Sequence, residues 1–282
     1  MFHVEQNEKN FHCEAKDHLV TGESFKIYFD EFKSIGKTTP FPKKEEMFKY
    51  YLSGSYRPHS LNKRNFIDSI YAIARNHMHR KRLMWMKSHL NHRSNVLDYG
   101  CGSGDFVRFL KSKAINAYGY DPNVNFNKTN SLDYLTNKED WKYRKYDIIV
   151  LWHVLEHIYD PLLLLGQLKK TLNEKGKIFI AVPNFKCFDS KYYGEHWAGY
   201  DLPRHLWHFS RKAMHRIADF CGLKIQKEKS LHLDSIYFSY LSEKYMKSHY
   251  PLLKGSIIGI ISIFKSFFSR EGSSLFLVFN KP

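Results

Sequence analysis

Val96-Leu-Asp-Tyr-Gly-Cys-Gly-Ser-Gly104 leaves an apolar strand-like run, Asn95 to Tyr99, and enters a helix-like run, Asp105 to Ala114, through a glycine-rich turn. Glycines at 100, 102 and 104 let the chain turn tightly and bring a ligand against main-chain atoms. A dinucleotide fingerprint, G-x-G-x-x-G, wants a small residue where this chain has Asp105. Asp105 also falls in the helix's first turn, where a pyrophosphate needs the positive helix end, and its carboxylate repels one. A cationic ligand without phosphate meets no such objection, and Asp98 adds negative charge just before the turn. Asp121 then closes the next strand-like run, Asn116 to Tyr120, where a carboxylate can accept both hydroxyls of a ribose.

Outward from this stretch, short apolar strands alternate with helices. Tyr146 to Trp152 and Gly176 to Val182 read as strands, Pro161 to Asn173 and Arg211 to Cys221 as helices, and Ser274 to Phe279 as a final strand. Ser210 is the N-cap and Gly222 the stop of the second helix. Such alternation builds an α/β fold, a mostly parallel sheet covered on both faces, with its ligand at the carboxyl ends of the strands.

The acid, glycine loop and second acid resemble those of class I S-adenosylmethionine-dependent methyltransferases. The resemblance implies a Rossmann-like three-layer sandwich with an antiparallel last strand, and S-adenosyl-L-methionine as cofactor. It places Asp98, Gly100, Cys101, Gly102, Gly104, Asp121, Pro122, Trp152 and His153 around that cofactor. Cys101 reads as a small packing residue, since no base is indicated beside it.

The second constellation is Trp152-His-Val-Leu-Glu-His-Ile158. His153, Glu156 and His157 match the H-x-x-E-H zinc-protease pattern, but that motif belongs within a helix and this one directly follows a strand. The segment is similar to that of the branch related to ubiquinone-biosynthesis O-methyltransferases, where an acid–Val-Leu-Glu-His run borders the acceptor and in some members binds a divalent metal. Here His153 replaces the first acid, so a resident metal is not expected. Three metal-ligand types remain, or one general base with two supports. Further on, Asp201-Leu-Pro-Arg-His-Leu-Trp-His-Phe-Ser210 resembles the same branch. Tyr192, Tyr193, Trp197 and Trp207 are expected to wall a dry pocket with Arg204, His205 and His208 as its polar groups. The expected catalytic set is His157 or His153 as base, His205 and His208 as second choices, and Glu156 as orienting group.

Residues 1–60 read as a polar, irregular arm with a strand-like Ser24 to Phe29, a Pro-rich turn at Thr39 to Pro42 and a helix from Lys44 to Leu52. Relatives carry two cysteine pairs in this arm. Cys13 survives alone, with Asp30 and Lys33 in the places of the second pair, so a degenerate knuckle without metal is expected. The remainder, 61–282, is read as the methyltransferase domain, with a basic helix at 62–92, an aromatic insertion at 184–209 and a helical lid at 232–270.

The 282 residues carry 44 Lys and Arg against 28 Asp and Glu, a formal charge of +16 that favours anionic partners. Eight of these cations lie between Lys63 and Arg93 beside the single acid Asp68. No RNA-recognition, zinc-finger or helix-turn-helix signature accompanies them, so nucleic acid is not the expected partner. Cys13, Cys101, Cys187 and Cys221 form no C-x-x-C pair, and the N-terminus has no apolar run behind a basic head. The expectation is a cytoplasmic enzyme with a small apolar or glycan-like acceptor, methylated at oxygen or carbon. An RNA methyltransferase using the basic helix and a non-catalytic cofactor-binding module are the competing readings. The missing Asn/Asp-Pro-Pro-Tyr tetrad, replaced by Leu151-Trp-His-Val154, argues against base N-methylation. Leu252 to Phe268 reads as a lid or dimer contact, or as a peripheral membrane contact beside a basic surface.

Overall fold

The computed structural model describes residues 4–51, 66–122 and 140–282, and for 66–75 the backbone alone. Its main sheet contains β4 (Asn95–Tyr99), β5 (Asn116–Tyr120), β6 (Tyr146–Trp152), β7 (Leu172–Pro183), β9 (Lys224–Leu231) and β10 (Ser274–Asn280), in the order β5-β4-β6-β7-β10-β9. The first four run parallel, and β10 lies antiparallel between β7 and β9. The antiparallel last strand is therefore present. The edge strand β9, Lys-Ile-Gln-Lys-Glu-Lys-Ser-Leu, is too charged to read as a strand from its pattern. Lysines on an exposed edge also discourage pairing with other chains.

Alternation along each strand sorts the two covering layers. Leu97, Ile149, Leu151, Ile178, Ile180 and Leu277 meet α3 (Pro161–Thr171) and α5 (Arg211–Phe220) on one face. Val96, Ile148, Val150, Phe179, Ala181 and Phe276 meet α1 (Phe66–Met86) and α2 (Asp105–Lys111) on the other. Asp98 shares this second face as a carboxylate among apolar neighbours. The predicted N-cap Ser210 accepts from Ala213 N–H, and Asp160, not anticipated as a cap, accepts from Leu163 N–H ahead of Pro161.

The N-terminal arm is more regular than its composition predicts. β1 (Phe11–Lys16), β2 (Ser24–Phe29) and β3 (Ile35–Thr39) form an antiparallel sheet completed by β8 (Trp207–Phe209) of the aromatic insertion. Phe25, Ile27 and Phe29 point inward at alternate positions, against Phe185 and the aromatic insertion. Two aspartates shape its turns. Asp17 accepts N–H bonds from Leu19, Val20 and Thr21, and Asp30 from Ser34 and Ile35. A carboxylate thus organises the turn where the resemblance places a lost cysteine pair.

Expected helices are shorter in the structure: α2 stops at Lys111 rather than Ala114, and α3 at Thr171 rather than Asn173, because β7 already begins at Leu172. Lys44 to Leu52 contains only a 3-10 turn, Met47–Tyr51, among the described residues. The basic helix α1 ends at Met86 and gives way to a second 3-10 turn, Lys87–His89. Leu52, Lys63 and Arg64 lie outside the described residues. The chain ends with α6 (His232–Tyr245) and α7 (Pro251–Ser269) inserted before β10.

Candidate functional site

The glycine turn leaves β4 with Gly100, Gly102 and Gly104 at φ of +78°, +51° and +71°. A Cβ on Gly100 would stand 2.3 Å from Val154 Cγ2, whereas one on Gly102 would meet nothing within 4 Å. The turn is thus tight against the protein on one side and open on the other. Gly102 N–H donates to Asp121 Oδ2 at 2.9 Å, which ties the turn to the end of β5. Pro122 follows on the surface. Cys101 Sγ lies against Gly119, and burial raises its thiol far above the ordinary range, so it is a packing group. Asp105 pairs with Arg108 along α2.

Asp98 is buried, and burial pushes its carboxyl up to about 6, opposed by Arg82 and reinforced by Asp121. Arg82 comes from the inner side of α1, its guanidinium 4.1 Å from the centre of the Trp152 ring, which stacks on Trp85. Among the described residues Arg82 Nε is buried without a hydrogen-bond partner. These groups fit an adenosine ligand with a cationic centre and an amino-acid tail. The turn is open on its outer side, carboxylates such as Asp121 and Asp98 can accept hydroxyls or offset positive charge, and a guanidinium such as that of Arg82 can bind a carboxylate. Sequence reasoning passed over Arg82 because it counted as one more charge on a basic helix. Its place three residues after buried His79 and four before Met86 was the signal.

The second constellation begins at the end of β6. His153 has a φ of +54°, an uncommon conformation for a residue with a Cβ, fixed by its N–H bond to Ala181 O. Its Nε2 lies 3.2 Å from Asp234 Oδ2 on α6, and its Nδ1 3.3 Å from Glu156 Oε1. Burial lowers its pKa, but the two carboxylates prevail and raise it to about 9, so His153 is an imidazolium at neutral pH. Asp234 was not anticipated; it reaches the site from a helix 81 residues away in sequence.

Glu156 is fully buried; Oε1 has the His153 ring as its ion-pair partner at 3.3 Å, and neither oxygen has a partner in good hydrogen-bond geometry among the described residues. His157, half-buried, donates Nδ1–H to Arg204 O at 2.9 Å, with the Tyr51 hydroxyl 3.3 Å away. His205 donates Nδ1–H to Gly199 O at 2.9 Å, leaving Nε2 3.9 Å from Glu156 Oε1. A carbonyl can only accept, so both rings carry their proton on Nδ1 and present Nε2 as an acceptor. Burial, with His157 nearby, holds His205 well below its ordinary pKa. Glu156, His157 and His205 each bring one ligand atom within 4.8 Å of the others. The His153 imidazolium already faces one side of this group, and a carboxylate with two imidazoles is also a donor set that suits a divalent cation.

The structure gives other candidates a different place. His208 joins β8 to β3: its Nε2–H donates to Thr38 Oγ1, which donates in turn to His205 O. Burial pulls its pKa down to about 3, so it stays neutral. Trp197, Trp207 and Tyr193 are buried in the cores, with Trp197 Nε1 bonded to Asp189 and Trp207 Nε1 to Ile158 O. Tyr192 is exposed. Arg204 clamps the turns: it bonds Asp17, Asp201 and the carbonyls of Tyr50 and Leu202. Aromatic density read as a pocket because core and pocket share that composition.

A mostly parallel sheet with a glycine turn and two acids, Asp98 and Asp121, at the strand ends is the arrangement of a class I S-adenosylmethionine-dependent methyltransferase. Residues 71–228 match the model of the methyltransferase domain family, and the chain belongs to that family. Its cofactor is S-adenosyl-L-methionine. The chain is 24% identical over 173 residues to a ubiquinone biosynthesis O-methyltransferase of Actinobacillus pleuropneumoniae, covering 53% of this chain and 72% of that protein. It is 31% identical over 111 residues to a tRNA U34 carboxymethyltransferase of Nautilia profundicola, covering 34% of this chain and only 36% of that protein. A SAM-dependent methyltransferase from Archaeoglobus fulgidus shares the fold, with a TM-score of 0.50, 19% identity, and coverage of 77% of this chain and 100% of that one.

Proposed function

We propose that this methyltransferase acts on a small-molecule acceptor, apolar or glycan-like, at a hydroxyl or an activated carbon, with His157 as the base. The observation that carries this reading is the fixed tautomer of His157, whose Nδ1–H is held by Arg204 O and whose Nε2 is left as an acceptor, on a ring grouped with Glu156 and His205. When bound, the cofactor supplies an electrophilic methyl whose bond to sulfur breaks with its electron pair passing to sulfur. Asp121 and Gly102 hold the adenosine end, Asp98 attracts the positive charge, and Arg82 binds the carboxylate of the amino-acid tail. His157 Nε2 takes the acceptor's proton as the acceptor atom bonds to carbon, and Glu156 steadies the resulting imidazolium. His153, already charged and paired with Glu156 and Asp234, orients the segment rather than accepting a proton.

Alignment of acceptor and methyl supplies most of the acceleration, and a general base adds about 10²–10⁴-fold. His157→Ala therefore lowers turnover by about that factor while cofactor affinity, followed by calorimetry, stays within a fewfold. A loss of affinity with unchanged turnover of the bound enzyme contradicts the role. The grouping of Glu156, His157 and His205 favours a second reading, a divalent cation held by these three that would bind and acidify the acceptor hydroxyl. Metal analysis of the purified protein separates the two, since the base reading expects full activity in metal-free protein. An RNA acceptor gains little from α1, because Arg82 and His79 turn inward and interrupt the basic strip.

A further inference from the structure

Helix α7 is built inside out for a protein surrounded by water. Its buried residues are Gly255, Gly259, Ser262 and Ser266, whereas Leu252, Leu253, Ile260, Phe264, Phe267 and Phe268 are each 58–78% exposed. In a water-facing helix the large apolar side chains take the inner stripe. The small face is fitted to its neighbours. A Cβ on Gly255 would stand 2.6 Å from Tyr240 Cα, and one on Gly259 2.6 Å from Ile236 Cα, so α7 and α6 meet backbone to backbone. Ser262 Oγ donates to Asp189 Oδ1 at 2.6 Å, which ties the same face to α4 (Phe188–Tyr193). Small residues at a helix contact with large apolar ones turned outward are the arrangement found in lipid.

Charge selects the occupant. From Lys244 to Arg270 the chain contains no Asp or Glu, while Lys244, Lys247, Lys254, Lys265 and Arg270 are all cations. Lys254 and Lys265 are three helical turns apart, hence on one flank of the apolar stripe, where their stems can run along it with the ammonium groups at its rim. Exposed Tyr250 stands at the N-terminus of α7 and Tyr237 on α6, residues suited to the boundary between water and lipid. A second copy of the chain would set this cationic rim against itself, on a protein already at +16. An anionic bilayer meets both the apolar stripe and the rim.

We propose that α7 docks the enzyme side-on into the surface of an anionic membrane. The helix has 19 residues and is long enough to cross a bilayer, yet its Gly and Ser face is engaged by α6 and α4. It therefore lies in the interface with its outward stripe among the acyl chains. This docking is independent of the acceptor's identity and of the methyl transfer.

The test is sedimentation of the full chain with vesicles of equal parts phosphatidylglycerol and phosphatidylcholine, and with phosphatidylcholine alone. The expected result is cosedimentation with the anionic vesicles at least tenfold stronger than with the neutral ones, and weakened by salt. Phe264→Glu/Phe268→Glu, whose altered side chains are exposed in the fold, abolishes it with the melting temperature unchanged. Lys254→Ala/Lys265→Ala, which leaves the apolar stripe intact, reduces the preference for anionic lipid. Wild-type protein that stays in the supernatant with anionic vesicles overturns the proposal. A dimer by light scattering, dissociated by the phenylalanine double variant and indifferent to lipid, assigns the face to a second copy and overturns it equally.

Discussion

Arg204→Met lowers the melting temperature by roughly 10 °C, the equivalent of about 3–5 kcal/mol for a buried ion pair deprived of one partner. Arg204 and Asp17 are each 1% exposed, and the guanidinium spans Asp17, Asp201 and two main-chain carbonyls. Methionine matches the bulk but satisfies none of these acceptors. The pH dependence follows from Asp17. Burial raises its carboxyl, but Arg204 and the turn N–H groups outweigh that and hold it below its ordinary value. A lowered carboxyl stabilises the fold fully above the unfolded value, about 3.9, and the contribution disappears as pH falls through the folded value. Thermal melts from neutral pH to below about 3.9 should therefore show the gap between wild type and variant narrowing only at the acid end. A gap of under about 1 kcal/mol at neutral pH would return Arg204 to the surface-like role its charge alone implies.

Gly100→Ala costs at least tenfold in cofactor affinity. Two independent penalties meet at this residue: a φ of +78° and a Cβ placed 2.3 Å from Val154 Cγ2. Backbone strain of this kind costs about 1–3 kcal/mol, and overpacking another 1–3 kcal/mol. Because Gly100 N–H and Cys101 N–H both bond Tyr120 O, the turn moves as a unit and takes Gly102 away from Asp121. The double variant Gly100→Ala/Val154→Ala removes the clash and keeps the strain, so it recovers part of the affinity. Titration calorimetry on both variants reads the difference. Equal affinities for wild type and Gly100→Ala would mean that the turn does not shape the cofactor site.

The parallel strands and the glycine turn were legible because each is written in local sequence: apolar runs, a proline or serine at a helix start, glycines where φ is positive. The antiparallel direction of the last strand came from the family resemblance alone, and the charged edge strand β9 was not legible. The second constellation was legible as residue types but not as geometry. Nothing in Trp152 to Ile158 shows that His153 meets an aspartate on α6, or that His205 and His157 present matching acceptors to Glu156. Those relations depend on chain crossings more than forty residues long. Arg204, His208 and the tryptophans were misjudged for the opposite reason, since a polar-aromatic motif has the same composition whether it lines a cavity or closes a core. The regular arm was hidden because its strands are held partly by Asp17 and Asp30, whose side chains read in sequence as surface charge. Helix α7 shows a similar limit: its apolar run was visible, but its facing was not until Gly255 and Gly259 proved to be the contact.

Cofactor binding turns on whether the open glycine turn and Asp121 hold S-adenosylmethionine. The measurement that tests it most directly is a calorimetric titration of the protein with S-adenosylhomocysteine, with NADH in parallel and Asp121→Ala as the paired variant. The prediction is one-site binding of the homocysteine, silence for NADH, and loss of binding in Asp121→Ala. Binding of NADH with silence for the homocysteine would contradict it, and with it the reading of Asp105 as a barrier to pyrophosphate.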